Sequence, residues 1–233
     1  MLSTPDMTGI KAVLFDLGGT LVHPTIEPSW EIYEVFKAKL EKDDPILNFD
    51  DFKKMIHHYW VEMQDEYYSS KKDIPIGEYN SHFLKEWGYL EESSARLGNF
   101  FSDLIFEYEL ETTELIPGAR ELLDWLKAGG IPTGLITNAS HTEERMHRLL
   151  RKVEIEDCFD VILVSSAVGI RKPNPGIFLK ALSILNIKPG ESVYIGDRFD
   201  YDALGAQNAG MRWILRDDET SLASVLQILK NAI

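Results

Sequence analysis

The chain reads as an α/β protein, a doubly wound five-stranded parallel sheet with a helical bundle inserted after the first strand. Two observations predict this. Short apolar runs alternate with helical periodicity through the second half of the chain, as right-handed crossovers between parallel strands require. A stretch of purely helical period separates the first apolar run from all the others.

The first run, residues 11–17 (KAVLFDL), ends at Asp16-Leu17-Gly18-Gly19-Thr20 and reads as a buried strand stopped by a turn. Four helical signals follow. Residues 30–40 and 78–87 carry the weaker pair. Phe52, Met55, Ile56, Tyr59, Trp60 and Met63 recur at helical steps behind Asp50 as an N-cap, and Leu97, Phe100, Phe101, Leu104, Ile105 and Tyr108 repeat the pattern. After Pro117-Gly118 comes a helix over 118–128, closed by Gly129-Gly130, then the apolar run 133–138. A helix over 141–152 precedes the run 161–166, and a helix over 175–186 precedes the run 192–197. A helix near 201–209 precedes the run 212–216, and an amphipathic helix over 220–231 ends the chain. Residues 1–23 and 113–233 therefore form one core domain, and residues 24–112 form the helical insert.

Composition narrows the function. The 233 residues are 44% hydrophobic and 27% charged, an ordinary globular balance. The 38 Asp and Glu against 24 Lys and Arg give a net charge of −14, a field that repels phosphate backbones and anionic lipid, so no nucleic-acid or membrane partner is expected. No run approaches the ~18 apolar residues of a membrane span, and the first nine residues lack a signal-peptide pattern, so a cytoplasmic location is expected. The single Cys158 excludes an internal disulfide, and no Cys/His spacing suggests zinc. Any metal must be bound by oxygen. The sequence leaves the oligomeric state open.

In a doubly wound sheet, ligands bind at the carboxyl ends of the strands. Those ends are polar here: Asp16, then Thr137-Asn138, then Ser165-Ser166 leading to Arg171-Lys172, then Asp197 with Asp200 and Asp202. Carboxylates gathered from different strands repel unless a cation neutralises them, which implies a divalent ion, usually magnesium. Lys172 and the Thr137 hydroxyl are donors suited to a phosphoryl group. Each residue also has a bland reading. The aspartates near 200 could cap a helix, Gly18-Gly19 could serve only a tight turn, and a lysine before proline is often a solvated loop residue.

At these positions the sequence resembles the haloacid dehalogenase-like (HAD) hydrolase superfamily. Residues 16–21 (DLGGTL) match its first motif, Leu135-Ile136-Thr137-Asn138 the second and Lys172-Pro173-Asn174-Pro175 the third. Gly196-Asp197 with Asp202, Gly205, Ala206 and Ala209-Gly210-Met211 match the fourth. The joint occurrence in order is far more specific than any one motif. The resemblance implies a Rossmann-like core, with residues 24–112 as the cap between motifs one and two. It points to a phosphatase of small phosphorylated metabolites that uses Mg2+. Asp16 would be the nucleophile that forms an aspartyl phosphate. Asp16, Asp197 and the Gly18 carbonyl would hold the metal, with Asp202 just behind, and Thr137, Asn138 and Lys172 would bind the phosphoryl group.

One position departs from the family. Its phosphatases usually carry a second aspartate two residues after the nucleophile, as acid and base, and here that residue is Gly18. Three explanations compete: substrates with good leaving groups, an acid supplied by His23 or the cap, or a loss of efficient catalysis. Gly18 also admits a carbon–halogen hydrolase, against which stands Gly196-Asp197, typically absent from those metal-free enzymes. A phosphonate hydrolase would need a cap lysine, with Lys53, Lys54 and Lys71 as candidates. A phosphate- and magnesium-binding regulatory module is the reading from another class. The adjacent His57 and His58 read as cap-helix residues rather than ligands.

Overall fold

The computed structural model describes residues 7–23, 30–40, 50, 54, 76–86, 88–217 and 219–233. Five strands form one sheet: β1 (Ala12–Phe15), β2 (Thr133–Thr137), β3 (Val161–Val164), β4 (Ser192–Gly196) and β5 (Arg212–Leu215). Their order is β3-β2-β1-β4-β5, and every pair is parallel. The chain leaves central β1 toward β2 and β3, then returns to β1's other side for β4 and β5. That reversal puts the switch point between β1 and β4, where such sheets open a crevice.

Both faces of the sheet are covered, which is why β1 is apolar at every position rather than alternating. Val13 and Phe15 join Leu135, Val193 and Ile195 on one face. That face packs against α4 (Ala119–Ala128), α5 (Glu143–Lys152) and α9 (Leu222–Ala232). Ala12, Leu14, Ile136 and Tyr194 share the other face with Ile177, Phe178, Ala181 and Leu182 of α7 (Pro175–Leu185). Local signals set the helix starts. Thr142 accepts a hydrogen bond from the Arg145 N–H to cap α5, Asn174 precedes Pro175 at the start of α7, and Ser221 caps α9.

The insert contributes α1 (Trp30–Leu40), α2 (Ile76–Glu86) and α3 (Glu91–Thr112). These helices bury a separate cluster that includes Tyr33, Phe36, Leu84, Leu97, Phe101 and Ile105. Of the helix expected behind Asp50, residues 50 and 54 are described and helical. Its apolar stripe, with His57, His58, Lys53 and Lys71, lies outside the described residues. The two connections between insert and core run side by side, with Val22 bridged to Leu115. The His23 N–H donates to the Glu114 carbonyl and the Ile116 N–H to the Leu21 carbonyl, each at 2.9 Å.

Two expected elements end differently. The third strand stops at Val164, because Ser165–Val168 forms a helical turn, α6, closed by Gly169 in the left-handed region. The Ser165 hydroxyl accepts the Ala139 N–H there, tying this turn to the end of β2. The helix expected near 201–209 begins with a wide π turn over Phe199–Ala203 before α8 (Leu204–Asn208). In that turn the Asp202 carboxylate accepts the Arg198 N–H at 3.0 Å while its other oxygen faces the crevice. Local widening of this kind often accompanies a functional side chain.

Candidate active site

The ends of β1, β2 and β4 and the loop before α7 converge on one buried ion cluster. Asp16 follows β1 directly, and its N–H continues the ladder to the Ile195 carbonyl at 2.9 Å. Its side chain is 10% exposed. Lys172 is 3% exposed, so the solvated-loop reading of this lysine fails. Its ammonium has three N–H groups and three acceptors: Asp16 Oδ1 at 2.5 Å, Asp202 Oδ1 at 2.7 Å and the Tyr194 hydroxyl at 3.0 Å. The Tyr194 hydroxyl donates in turn to the Ile136 carbonyl at 3.0 Å. A tyrosine in a central strand must place its hydroxyl, and here it does so by holding the lysine.

Asn138, expected among the phosphate-binding groups, has its side-chain amide engaged by the Lys172 backbone. Its amide donates to the Lys172 carbonyl at 3.0 Å and accepts the Lys172 N–H at 2.9 Å, so it brackets the lysine's backbone. Thr137 ends β2 and is buried. Thr20, on the turn after β1, sends its hydroxyl toward Asp16 Oδ2 at 3.4 Å. His23 is exposed.

The turn after β1 fits tightly against Asp197. Gly19 has φ +75°, and a Cβ there would lie 2.3 Å from Asp197 Oδ2, so only glycine lets the two segments meet. Gly196 plays the same part for Asp202, whose Cβ would stand 2.4 Å from an added Cβ. Gly18 is exposed, and a Cβ at this position would meet nothing within 4 Å.

Asp16, Asp197 and Asp202 each offer a carboxylate oxygen within 4.8 Å of the others. Three acids face one ammonium, so with all four ionised the cluster carries two negative charges in excess. Burial pushes the Asp16 carboxyl up; Lys172 opposes the shift and Asp202 adds to it, leaving it at about 7. Burial, then Asp202, also raises Asp197. For Lys172 burial acts downward, but Asp16 and Asp202 together overcome it and hold the ammonium above its ordinary range. Asp197 Oδ1 is buried and has no hydrogen-bond partner. An orphaned carboxylate oxygen inside an all-oxygen donor set with surplus negative charge fits a hard divalent cation, which would supply both the missing partner and the missing charge.

Sequence reasoning missed Tyr194 and Thr20. A polar-tipped residue inside an apolar strand run was the available signal for Tyr194. For Thr20, only its closeness to Asp16 marked it.

Known proteins resemble this chain in sequence and in architecture. A model of haloacid dehalogenase-like hydrolases matches residues 10–210. Glyceraldehyde 3-phosphate phosphatase from Pyrococcus furiosus is 32% identical over 213 residues, 89% of this chain and 81% of that protein. Ribulose-1,5-bisphosphate 5-phosphatase from Halopiger xanaduensis is 28% identical, with 88% of this chain and 84% of that protein covered. Among solved structures, 2-haloacid dehalogenase from Pseudomonas syringae superposes with a TM-score of 0.69 at 24% identity, covering 95% of this chain and 99% of that one. Its likeness is one of fold. With its motifs on the strand ends of a matching sheet, the chain belongs to the haloacid dehalogenase-like hydrolases.

Proposed function

We propose that the protein is a magnesium-dependent phosphohydrolase that acts on a small phosphorylated metabolite of about triose-phosphate size, through an aspartyl phosphate at Asp16. The observation that carries this reading is the buried cluster of three carboxylates and one ammonium, with Asp197 Oδ1 unpartnered. The names of the relatives 31–32% identical to this chain, glyceraldehyde 3-phosphate phosphatases, support the substrate class.

In this reading Asp16 attacks phosphorus, the bond to the leaving oxygen breaks, and water later displaces the phosphoryl group from the aspartate. Asp16, Asp197 and the Gly18 carbonyl would hold magnesium, whose charge offsets that of the transferring phosphoryl group. Lys172 has no spare N–H at rest, so it reaches phosphoryl oxygen by releasing Asp16 as that carboxylate is consumed. Asp202 and Tyr194 keep the ammonium in place through the exchange. The Thr137 hydroxyl adds a donor at the end of β2. Asn138 supports Lys172 from behind.

Position 18 offers no acid, and the side chain of His23 is exposed. Without an acid at position 18, phosphates with good leaving groups should turn over fastest and an alkyl ester such as a triose phosphate more slowly. The test is a panel of phosphate esters, acyl phosphates and 2-haloacids, assayed with magnesium and with chelator. Magnesium-dependent phosphate release is expected; chelator-insensitive release of halide would overturn the reading.

A further inference from the structure

Arg216 is the first residue after β5, on the far side of β4 from the nucleophile. Its backbone N–H donates to the Gly196 carbonyl at 2.7 Å, extending the β4–β5 ladder one residue beyond the Gly196–Leu215 pair. Its side chain reaches the turn after β1, where Nη1 donates to the Gly19 carbonyl at 2.9 Å. Nε is buried without a hydrogen-bond partner, so that carbonyl is what orients the fork. One residue thus grips both segments of the metal cradle: Gly196 leads into Asp197, and Gly19 adjoins Gly18. Between them, the Gly19 backbone rests on Asp197 so closely that no Cβ fits.

The Gly18-Gly19 turn is held from within by the Gly19 N–H on the Val22 carbonyl at 2.9 Å, and a cation site made partly from the Gly18 carbonyl needs that turn fixed also against the sheet, where glycine backbone is otherwise the most pliable. We infer that Arg216 is a positioning residue. It clamps the Gly18-Gly19 turn against Asp197, so that the Gly18 carbonyl and the Asp197 carboxylate face one cation, and it sets magnesium affinity without touching the metal. The inference rests on the proposed magnesium site. Arginine suits the task because its planar fork holds a fixed direction, whereas a lysine keeps only the charge.

The sign of the effect separates positioning from simple charge. As a nearby positive charge, Arg216 would repel magnesium, and its removal would tighten binding. As a clamp, its removal weakens binding.

The experiment is calorimetric titration of the full chain with magnesium alone. The variants are Arg216→Met, Arg216→Lys and Arg212→Met, with Asp197→Ala as the check on the site itself. Arg212 lies on the same strand and donates to the Thr8 carbonyl at 2.7 Å, so its loss removes an equal charge elsewhere on β5. Arg216→Met should weaken magnesium binding about 10- to 100-fold, the usual scale for outer supporting residues of a metal site. Arg216→Lys should fall between it and wild type, and Arg212→Met should match wild type. In turnover, the magnesium requirement should rise while kcat at saturating magnesium stays within a few-fold. Unchanged or tighter binding by Arg216→Met, or equal weakening by Arg212→Met, would overturn the inference. If Arg216→Met does not fold, wild-type affinity in Arg216→Lys overturns it equally. A wild type that binds no magnesium, or an Asp197→Ala that binds it normally, refutes the metal site itself.

Discussion

Among the described residues, two groups of ionisable side chains are buried together, and they are built on opposite plans. At the rim of the sheet, Asp16, Asp197 and Asp202 surround one Lys172. Where the insert meets the core, Glu109 of α3 pairs with His141 of the loop after β2 at 2.6 Å, both side chains 7% exposed. The second group is a single acid hydrogen-bonded to a single imidazole, with no other acid in it. It sits in a seam of further ties between α3 and α5: Arg145 bonds the Ser102 hydroxyl at 2.8 Å and Arg148 meets Glu107 at 3.0 Å. Lys152 reaches the Thr113 carbonyl at 2.5 Å. Each group leaves one buried side-chain atom unpartnered, but a free ring nitrogen on His141 is a far smaller cost than a free carboxylate oxygen on Asp197. Stability alone would not gather three acids around one base. The hydrogen-bonded pair reads as structural glue, and the cluster with surplus acid is where a ligand belongs.

Removing a member of each group is the strongest way to break this contrast. Asp16→Asn should reduce turnover about 10⁴-fold or more while leaving the melting temperature without metal unchanged or higher, since it relieves crowding among acids. A large loss of stability would mean that the cluster holds the fold together. Gly18→Asp tests the missing acid from the other side. The Cβ has open space at position 18, and general acid catalysis contributes about 10² to 10⁴-fold, so alkyl phosphates should gain by up to that factor and activated esters far less. The plot of log kcat against leaving-group pKa should flatten in the variant. A flat plot for wild type would show that another residue already supplies the proton.

Glu109→Ala should do the opposite of Asp16→Asn. Leaving the buried imidazole without its hydrogen-bond partner costs about 1–3 kcal/mol, seen in denaturant unfolding, with kcat of the folded protein little changed. A stable but inactive Glu109→Ala would move this pair from glue to machinery. The smallest effect is that of pH on metal binding. Asp16 sits at about 7, raised above its ordinary range, so below that pH a proton must leave before magnesium can bind. Affinity should rise with pH by at most about tenfold per unit, then level above 7. Binding independent of pH between 5 and 7 would place the metal away from Asp16.

The sequence exposed the core and its strand-end residues well, for a physical reason. In a doubly wound sheet the buried strands are short apolar runs, so a polar residue at their ends stands out, as Asp16, Thr137 and Asp197 do. Lys172 was found through its motif, since nothing local announces that a loop lysine is buried. Tyr194 was hidden because an apolar strand reads the same whether or not its tyrosine serves a neighbour. The partnership of Glu109 with His141 joins residues on opposite sides of the boundary drawn at 112. Periodicity assigned all of α3 to the insert, yet Leu110 packs against the core and α3's last turns are tied to α5. The helix expected around residues 50–63 falls mostly outside the described residues.

Trapping the phosphoryl group on Asp16 is the decisive measurement for the proposed covalent route. With no acid/base at position 18 to activate the incoming water, breakdown of the aspartyl phosphate should be slow enough for it to accumulate. Mixing with an activated phosphate and magnesium, rapid quenching and borohydride reduction should convert Asp16 to homoserine, read by mass spectrometry of the peptide. This conversion is expected at Asp16, dependent on magnesium and absent from Asp16→Asn. Steady phosphate release with Asp16 unmodified at every quench time, or the label on another residue, would contradict it.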